Sequence, residues 1–318
     1  MVDVSVIIPC YNAEDYIDKC LSIILRDKLK NIEVILINDG SKDNTINILN
    51  KYKKKYKQIK VIDQENTGQA IARNRALSKA KGKYVMFVDI DDFLEENAIY
   101  KMFTTAEKNN SDYVYCDFYK HYENYDEIFR NNKTQDIKKN AILANYAPWG
   151  KLISRELIKE IGFKFLEGKI FEDIAVMPIT AAKSKKPYYL AEPLYYYNLA
   201  NVNSTIRTPK YKKKYEDIFE VSDYIYEQFT QDNNISKYKD EFEYIFLNGI
   251  LRCNVLLFSK YKEGVVNIDK LRKNVLEKFP NIQKNKYAKE ENLRTRLITQ
   301  LTLHMPPKLL YIIKKIVN

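Results

Sequence analysis

The chain has 318 residues, 45% of them apolar and 30% charged, which excludes a disordered polymer and suits one large α/β domain with a smaller appendage. No apolar run approaches the roughly 18 residues that a membrane-spanning helix needs. The four cysteines lack C-x-x-C spacing, so neither a disulfide framework nor a zinc site is expected. The formal charge of +11 asks for anionic partners such as nucleotide phosphates, anionic lipid or nucleic acid.

Val4 to Ile8 is a short β-branched strand stopped by Pro9, and it begins with no basic and apolar leader, so a reduced cytosolic protein is expected. Cys10-Tyr11-Asn12 makes a turn, with Asn12 as the cap of a helix from Ala13 to about Leu25. Glu33 to Asn38 is a second strand, and the turn Asp39-Gly40-Ser41 leads into a helix ending in a lysine-rich run. Ile59 to Ile62 is a third strand, followed by the turn Asn66-Thr67-Gly68 and a helix that holds Ala70, Ala72, Arg73 and Ala76. Tyr84 to Val88 is apolar on both faces, as a buried parallel strand must be, and Asp89, Asp91 and Asp92 appear where it ends. Tyr113 to Phe118 is a further strand.

The alternation then breaks. Lys120 to Asp136 reads as a polar loop, Ile137 to Tyr146 as a helix, Pro148 to Lys151 as a turn, and Arg155 to Ile161 as a helix. Phe171-Glu172-Asp173 opens a helix to about Ala182, and Tyr188 to Tyr197 is a strand. From about Lys210 apolar residues recur at spacings of three and four, so the remainder is helical. A boundary is placed near Thr208-Pro209. This gives a domain of residues 1–208, with a nucleotide-binding half (1–118) and an acceptor-binding half (119–208), and an all-helical domain of residues 209–318.

Several chemistries drop out early. Only two histidines exist, His121 and His304, and none of the eight glycines forms a G-x-G-x-x-G or P-loop pattern. What remains is an open, mostly parallel sheet whose strand ends at Pro9-Cys10-Tyr11, Asp39-Gly40-Ser41 and Asp89 to Asp92 point into one crevice, where such sheets bind ligands. Tyr11 offers a face to a base, Asp39 accepts an N–H, and Arg73 offers a planar fork to phosphate. Carboxylates this close repel unless a cation joins them, and Mg2+ or Mn2+ suits oxygen ligands shared with a diphosphate. Taken alone, the Asp cluster is better explained as a solvated acidic turn capping the helix that starts near Glu95.

Four segments in order, Val4-Ser-Val-Ile-Ile-Pro-Cys-Tyr-Asn12, Ile35-Leu-Ile-Asn-Asp-Gly-Ser41, Gly68-Gln-Ala-Ile-Ala-Arg-Asn74 and Phe87-Val-Asp-Ile-Asp-Asp-Phe93, resemble the family-2 glycosyltransferases, which have the GT-A nucleotide-sugar-binding fold. Looser similarity runs through Trp149-Gly-Lys151, Phe171-Glu-Asp173 and Leu194 to Tyr197, to about residue 207. The resemblance implies that Pro9, Tyr11, Asp39, Asn66 and Arg73 hold the uridine of a UDP-sugar, Asp89 meets the ribose side and Asp91 binds Mn2+ or Mg2+. The middle of the D-x-D is Ile90, where Ser or Ala is more usual. Asp173 corresponds to the family's base, which takes the acceptor hydroxyl's proton in an inverting transfer. Ser204 and Arg207 resemble the loop that closes over the diphosphate. Trp149, Lys151 and Glu172 are assigned to the acceptor side, with Trp149 open between a sugar platform and a core aromatic.

The expected activity is therefore metal-dependent, non-processive, inverting transfer of a hexose or N-acetylhexosamine to a bacterial surface glycan or its lipid-linked precursor. A sugar-phosphate nucleotidyltransferase is the alternative, although the first turn lacks that class's glycine-rich loop; a non-enzymatic binder of anionic polymer is another. No nucleic-acid partner is expected, and a homo-oligomer is left open. From Leu293 onward there are five Lys or Arg and no acid, with leucines and isoleucines at helical spacing. A peripheral contact with the inner face of the membrane and a helix packed on protein are both readings of that tail.

Overall fold

The computed structural model describes residues 2–201 and 210–317, which fall into two compact units. The first comprises residues 2–168 and 176–201; the second comprises 169–175 and 210–317.

The first unit is built on one mixed sheet. Its strands are β1 (Val4–Cys10), β2 (Ile32–Asp39), β3 (Ile59–Gln64), β4 (Tyr84–Phe87), β5 (Phe93–Leu94), β6 (Tyr113–His121), β7 (Asp126–Phe129), β8 (Lys151–Ser154) and β9 (Pro187–Asn198). They run in the order β3-β2-β1-β4-β8-β6-β9-β5, with β7 paired to β6. The first four are parallel. β1 and β2 are buried along their whole length, and a strand covered on both faces must be apolar on both. The parallel crossovers are helices α1 (Ile17–Arg26), α2 (Thr45–Lys55) and α3 (Gln69–Leu77). α1 buries Ile17, Cys20, Leu21 and Ile24, one stripe at spacings of three and four. α3 buries mainly alanines, Ala70, Ala72 and Ala76, and that small-residue face leaves room for the Arg73 side chain inside the protein.

β8 lies antiparallel between β4 and β6, while β9 runs parallel to β6. The β6–β9 register shifts on either side of Asp117, whose partner is Pro193. Proline cannot donate to the ladder, so the irregularity falls where the sequence puts it. Helices α4 (Ala98–Asn109), α5 (Ile137–Leu143), α6 (Arg155–Glu160) and α7 (Glu172–Lys183) complete the series.

Three local expectations are corrected, and one unassigned segment is filled. Asn12 is not a helix cap: it sits at φ 48°, its side chain accepts from the Lys42 amide at 2.9 Å, and α1 starts only at Ile17. The stretch 120–136 is not all loop, because β6 continues to His121 and turns back as β7, a mostly exposed strand with no apolar alternation to announce it. Lys151 closes no turn: it opens a strand, Lys151–Ser154, that follows Gly150 at φ 66°. Phe93–Leu94, unassigned in the sequence, forms the short β5 against Tyr195 and Tyr196.

The second unit is helical, as expected. Its elements are a 3-10 turn (Lys213–Glu216), α8 (Asp217–Gln231), α9 (Asn233–Ser236), α10 (Lys239–Ile245), a π-helical run (Phe246–Arg252), α11 (Cys253–Phe258), α12 (Val265–Lys278), a 3-10 turn (Ile282–Lys284), α13 (Lys286–Lys289), α14 (Leu293–His304) and α15 (Pro307–Val317). Among the described residues no helix is long and apolar enough to cross a membrane.

Candidate active site

Side-chain hydrogen bonds stitch the carboxyl end of β1 to that of β2, and tie the end of β4 to α3 and β9. Asn12 joins the turn after β1 to the turn after β2: its amide donates to Ser41 Oγ at 3.0 Å, while its side chain receives Lys42 N. Gly40, at φ 66°, allows that second turn to touch the next loop, since a Cβ there would lie 2.5 Å from the Asn66 amide nitrogen. Tyr11 is 48% exposed beside these turns, and Pro9 is buried at the end of β1.

Asp39 is buried at the tip of β2 and is already occupied. Its Oδ1 accepts from Gln64 Nε2 at 2.8 Å and from the Thr67 amide at 2.8 Å, and its Oδ2 accepts from the Gly68 amide at 2.9 Å. Thr67 Oγ1 adds a fourth contact at 3.3 Å. A carboxylate offers about four acceptor positions. Three of the contacts crowd Oδ1, so a base N–H is best received at Oδ2, which carries only the Gly68 amide. Asn66 is exposed within the loop that Asp39 holds.

Arg73 lies inside the protein, 2% exposed, and its Nη2 donates to Asp89 Oδ1 at 2.7 Å. Its guanidinium also faces the Phe165 ring, 5.4 Å from the centroid. Asp89 is partly open, so the pair fixes one of its carboxylate oxygens while the side chain stays in reach of solvent. Asp91 follows. Burial, then the charge of Asp89, hold its carboxyl above the ordinary range, while a hydrogen bond from Asn201 Nδ2 at 2.8 Å opposes them. Asn198 Nδ2 donates to the Asp91 carbonyl at 2.9 Å.

Asp92 has a different job. It is 3% exposed, and accepts from Tyr195 Oη at 2.6 Å and from the Asn198 amide at 2.8 Å. Burial, and then Asp89 and Asp91, push its carboxyl well above the usual range. It ties the end of β9 to the acidic tip. Tyr195 Oη also receives the Asp89 amide at 3.2 Å, so one hydroxyl links both aspartates. Tyr195, Asn198 and Asn201 escaped sequence reasoning as site residues; the one available signal was the aromatic run 194–197 within the looser resemblance.

On the acceptor side one open alternative is decided and one expectation is corrected. Trp149 is 6% exposed, stacked on Tyr195 at 4.5 Å between centroids and edge-on to Phe118 at 4.9 Å. It is a core aromatic, not a sugar platform. Lys151 is 1% exposed, and its Nζ donates to Asn145 Oδ1 at 2.8 Å and to the Ala147 carbonyl at 2.7 Å, so it braces the turn before β8.

In the second unit, Phe171 adopts φ 64°, a left-handed conformation that costs a bulky residue energy and tends to persist where a side chain must be aimed. α7 starts on its heels with Glu172, which is buried, and Asp173, whose Oδ1 accepts from the Ile174 amide at 2.8 Å. The preceding segment is anchored within that unit, Ile170 N donating to Asp217 Oδ2 at 3.1 Å. Ser204 and Arg207 lie outside the described residues.

Among the described residues no three His, Cys, Asp or Glu side chains are placed to cage a metal. The donor set still fits a hard cation. Asp91 carries a carboxylate destabilised by burial and by Asp89, which a divalent charge would relieve, and Mg2+-like ions commonly take one or two carboxylates with the rest of their shell from phosphate and water.

Residues 5–162 match the family model described as glycosyl transferase family 2. The chain is 32% identical over 241 residues to the glycosyltransferase GlyG of Streptococcus pneumoniae, covering 69% of this chain and 77% of that one. It is 31% identical over 216 residues to GlyA of the same species, covering 62% of this chain but only 30% of GlyA. Among solved structures, S. aureus TarS 1-349 in complex with UDP superposes with a TM-score of 0.71 at 21% identity, over all of this chain and 92% of TarS 1-349. A second complex of the same fragment holds UDP-GlcNAc, with a TM-score of 0.67 at 20% identity and coverage of 98% and 89%. The expected GT-A fold is thereby shown.

Proposed function

Because this chain belongs to glycosyltransferase family 2, we infer that the crevice at the ends of β1, β2 and β4 binds the nucleotide diphosphate of a UDP-sugar, and that the sugar passes with inversion to a hydroxyl of a bacterial surface glycan or its lipid-linked precursor. The observation that carries the reading is the Arg73–Asp89–Asp91 arrangement, in which a buried guanidinium fixes one carboxylate beside a second, destabilised one. TarS, alike in fold, binds UDP and UDP-GlcNAc, which supports a uridine donor.

The division of labour follows from the chemistry of each group. Tyr11 presents an exposed ring for the base, and Asp39 with the loop 64–68 accepts the base edge. Asp89, held by Arg73, is the acceptor for ribose hydroxyls. Asp91 would hold Mg2+ or Mn2+, and such an ion, when bound, supplies the positive charge that lets a diphosphate depart. Asp173 takes the proton of the acceptor hydroxyl as that oxygen attacks the anomeric carbon, and Glu172 beside it is kept as an acceptor-side contact. Ser204 and Arg207 are retained as contacts to the diphosphate.

The test is UDP release from a panel of UDP-sugars with Mn2+ or EDTA, in wild type and Asp173→Asn. Turnover that needs the cation and collapses in the variant supports the assignment. Metal-independent turnover, or full activity without the Asp173 carboxylate, overturns the mechanism.

A further inference from the structure

We propose that α14 and α15 form a docking face for an anionic phospholipid surface. A helix on a folded domain ordinarily turns its apolar stripe inward. α14 leaves part of its apolar surface outside, at its N-terminal end. It buries Thr299, Thr302 and Leu303, while Leu293 is 80% and Leu297 58% exposed, one turn apart on a single stripe.

What holds α14 is polar. Arg252 Nη1 donates to Thr299 Oγ1 at 2.8 Å, and the buried Arg272 donates to the Thr302 carbonyl at 2.7 Å and the Met305 carbonyl at 2.8 Å. α15 then buries Leu310 and shows Leu309, Ile312, Ile313 and Ile316, which share one face at spacings of three, four and seven. Arg294, Arg296, Lys308 and Lys315 are exposed on the same two helices, and no acid occurs from Leu293 to the last residue.

Charge decides the occupant. A second copy docked symmetrically would set this cationic surface against itself. An anionic polymer would satisfy the charges and leave the leucines and isoleucines in water. An interface of anionic headgroups over acyl chains takes both, and helices of 12 and 11 residues are too short to span a bilayer but can lie in it. The inference does not depend on the identity of the donor sugar or of the metal.

The experiment is co-sedimentation of the full chain with vesicles of phosphatidylcholine alone and of phosphatidylcholine with about 30 mol% phosphatidylglycerol. The partition coefficient should be at least roughly tenfold higher on the anionic vesicles and fall with added salt. Arg294→Gln, Arg296→Gln and Lys308→Gln should each lower it about fivefold, and Leu297→Ser with Ile316→Ser should lower it further, all at unchanged melting temperature because these side chains are exposed. As a second readout, Ile316→Trp adds a second tryptophan to a chain whose native one, Trp149, is buried, and the new emission should shift to the blue on anionic vesicles only. Equal binding to both vesicle types, binding to neither, or charge variants that bind like wild type would overturn the proposal. So would a dimer in light scattering that Leu297→Ser with Ile316→Ser converts to a monomer, which would assign the face to a second copy.

Discussion

Tyr195 donates its hydroxyl to Asp92 Oδ2 at 2.6 Å across 103 residues of chain, and this bond fastens the last strand of the sheet to the acidic tip. Because the same hydroxyl receives the Asp89 amide, the positions of Asp89 and Asp91 depend on a tyrosine far away in sequence. Tyr195→Phe removes the donor and leaves a buried, raised-pKa carboxyl with only the Asn198 amide. The expected loss is about 1–3 kcal/mol of stability. It is read as a lowered midpoint in urea at unchanged slope, with a raised KM for the nucleotide sugar as the tip loosens.

Asp91→Asn should separate stability from activity. Burial and Asp89 raise the Asp91 carboxyl, so its charge is disfavoured in the folded protein, and the penalty grows as pH rises through the folded pKa. Removing that charge should leave the metal-free melting temperature at pH 7.5 unchanged or higher. The increase on adding Mn2+ with UDP, which wild type should show by mass action, should vanish along with turnover. A variant that keeps the Mn2+-dependent increase would relocate the cation.

These two aspartates mark how far the sequence could be read. The parallel strands β1, β2 and β4 were legible because burial on both faces writes apolar runs, and the acidic tip was legible because three carboxylates crowd four positions. The role of Asp92 was not, since its partners, Tyr195 and Asn198, come from a strand about a hundred residues on. Trp149 and Lys151 look like ligand contacts in sequence. Only packing reveals a ring stacked on Tyr195 and an ammonium spent on Asn145 and a carbonyl. β7 and β8 are short, and they pair antiparallel with neighbours that local pattern does not identify.

At the opposite end of the strands, Glu33 knots β1, β2 and the loop before β4. Ser5 Oγ donates to it at 2.5 Å, the Lys81 amide at 2.6 Å, and Lys60 Nζ completes the set. Burial alone would raise this carboxyl, but the bonds from Lys60, Ser5 and Lys81 outweigh it and leave the pKa lowered. For an acid with a depressed folded pKa, the stability is present above the unfolded value of about 4.3 and is lost as pH falls through the folded one. Glu33→Gln should therefore lower the melting temperature at pH 7 and flatten its decline in the acid range. An unchanged acid limb would show that Glu33 stays ionised without benefit.

Asp173→Asn preserves size and the bond from the Ile174 amide, so folding should be untouched while proton removal is lost. The expected fall in kcat is about 10²–10⁴-fold, with KM for the donor within about twofold, because the group acts on the acceptor. Single-turnover kinetics across pH would locate the loss in the chemical step. A change confined to KM would instead make Asp173 a binding residue.

The helical unit has its own buried charge. Arg252 ends the π-helical run 246–252 and donates to Glu291 Oε1 at 2.7 Å and Oε2 at 2.8 Å, both side chains being 8% exposed. Tyr244 Oη donates to the same carboxylate at 2.6 Å, and Arg252 reaches Thr299 in α14. A buried ion pair seldom stabilises more than an apolar pair would, yet breaking one side of it strands a charge in the interior. Glu291→Gln should cost about 3–5 kcal/mol, whereas Thr299→Val should cost only about 1 kcal/mol. The double variant Arg252→Met with Glu291→Leu should recover most of the loss, and the interaction energy of the cycle measures the coupling. Since Thr299 hangs from Arg252, Glu291→Gln should also release α14 to protease before the rest of the unit unfolds. Simultaneous loss of every element would show instead that the pair belongs to the unit's global core.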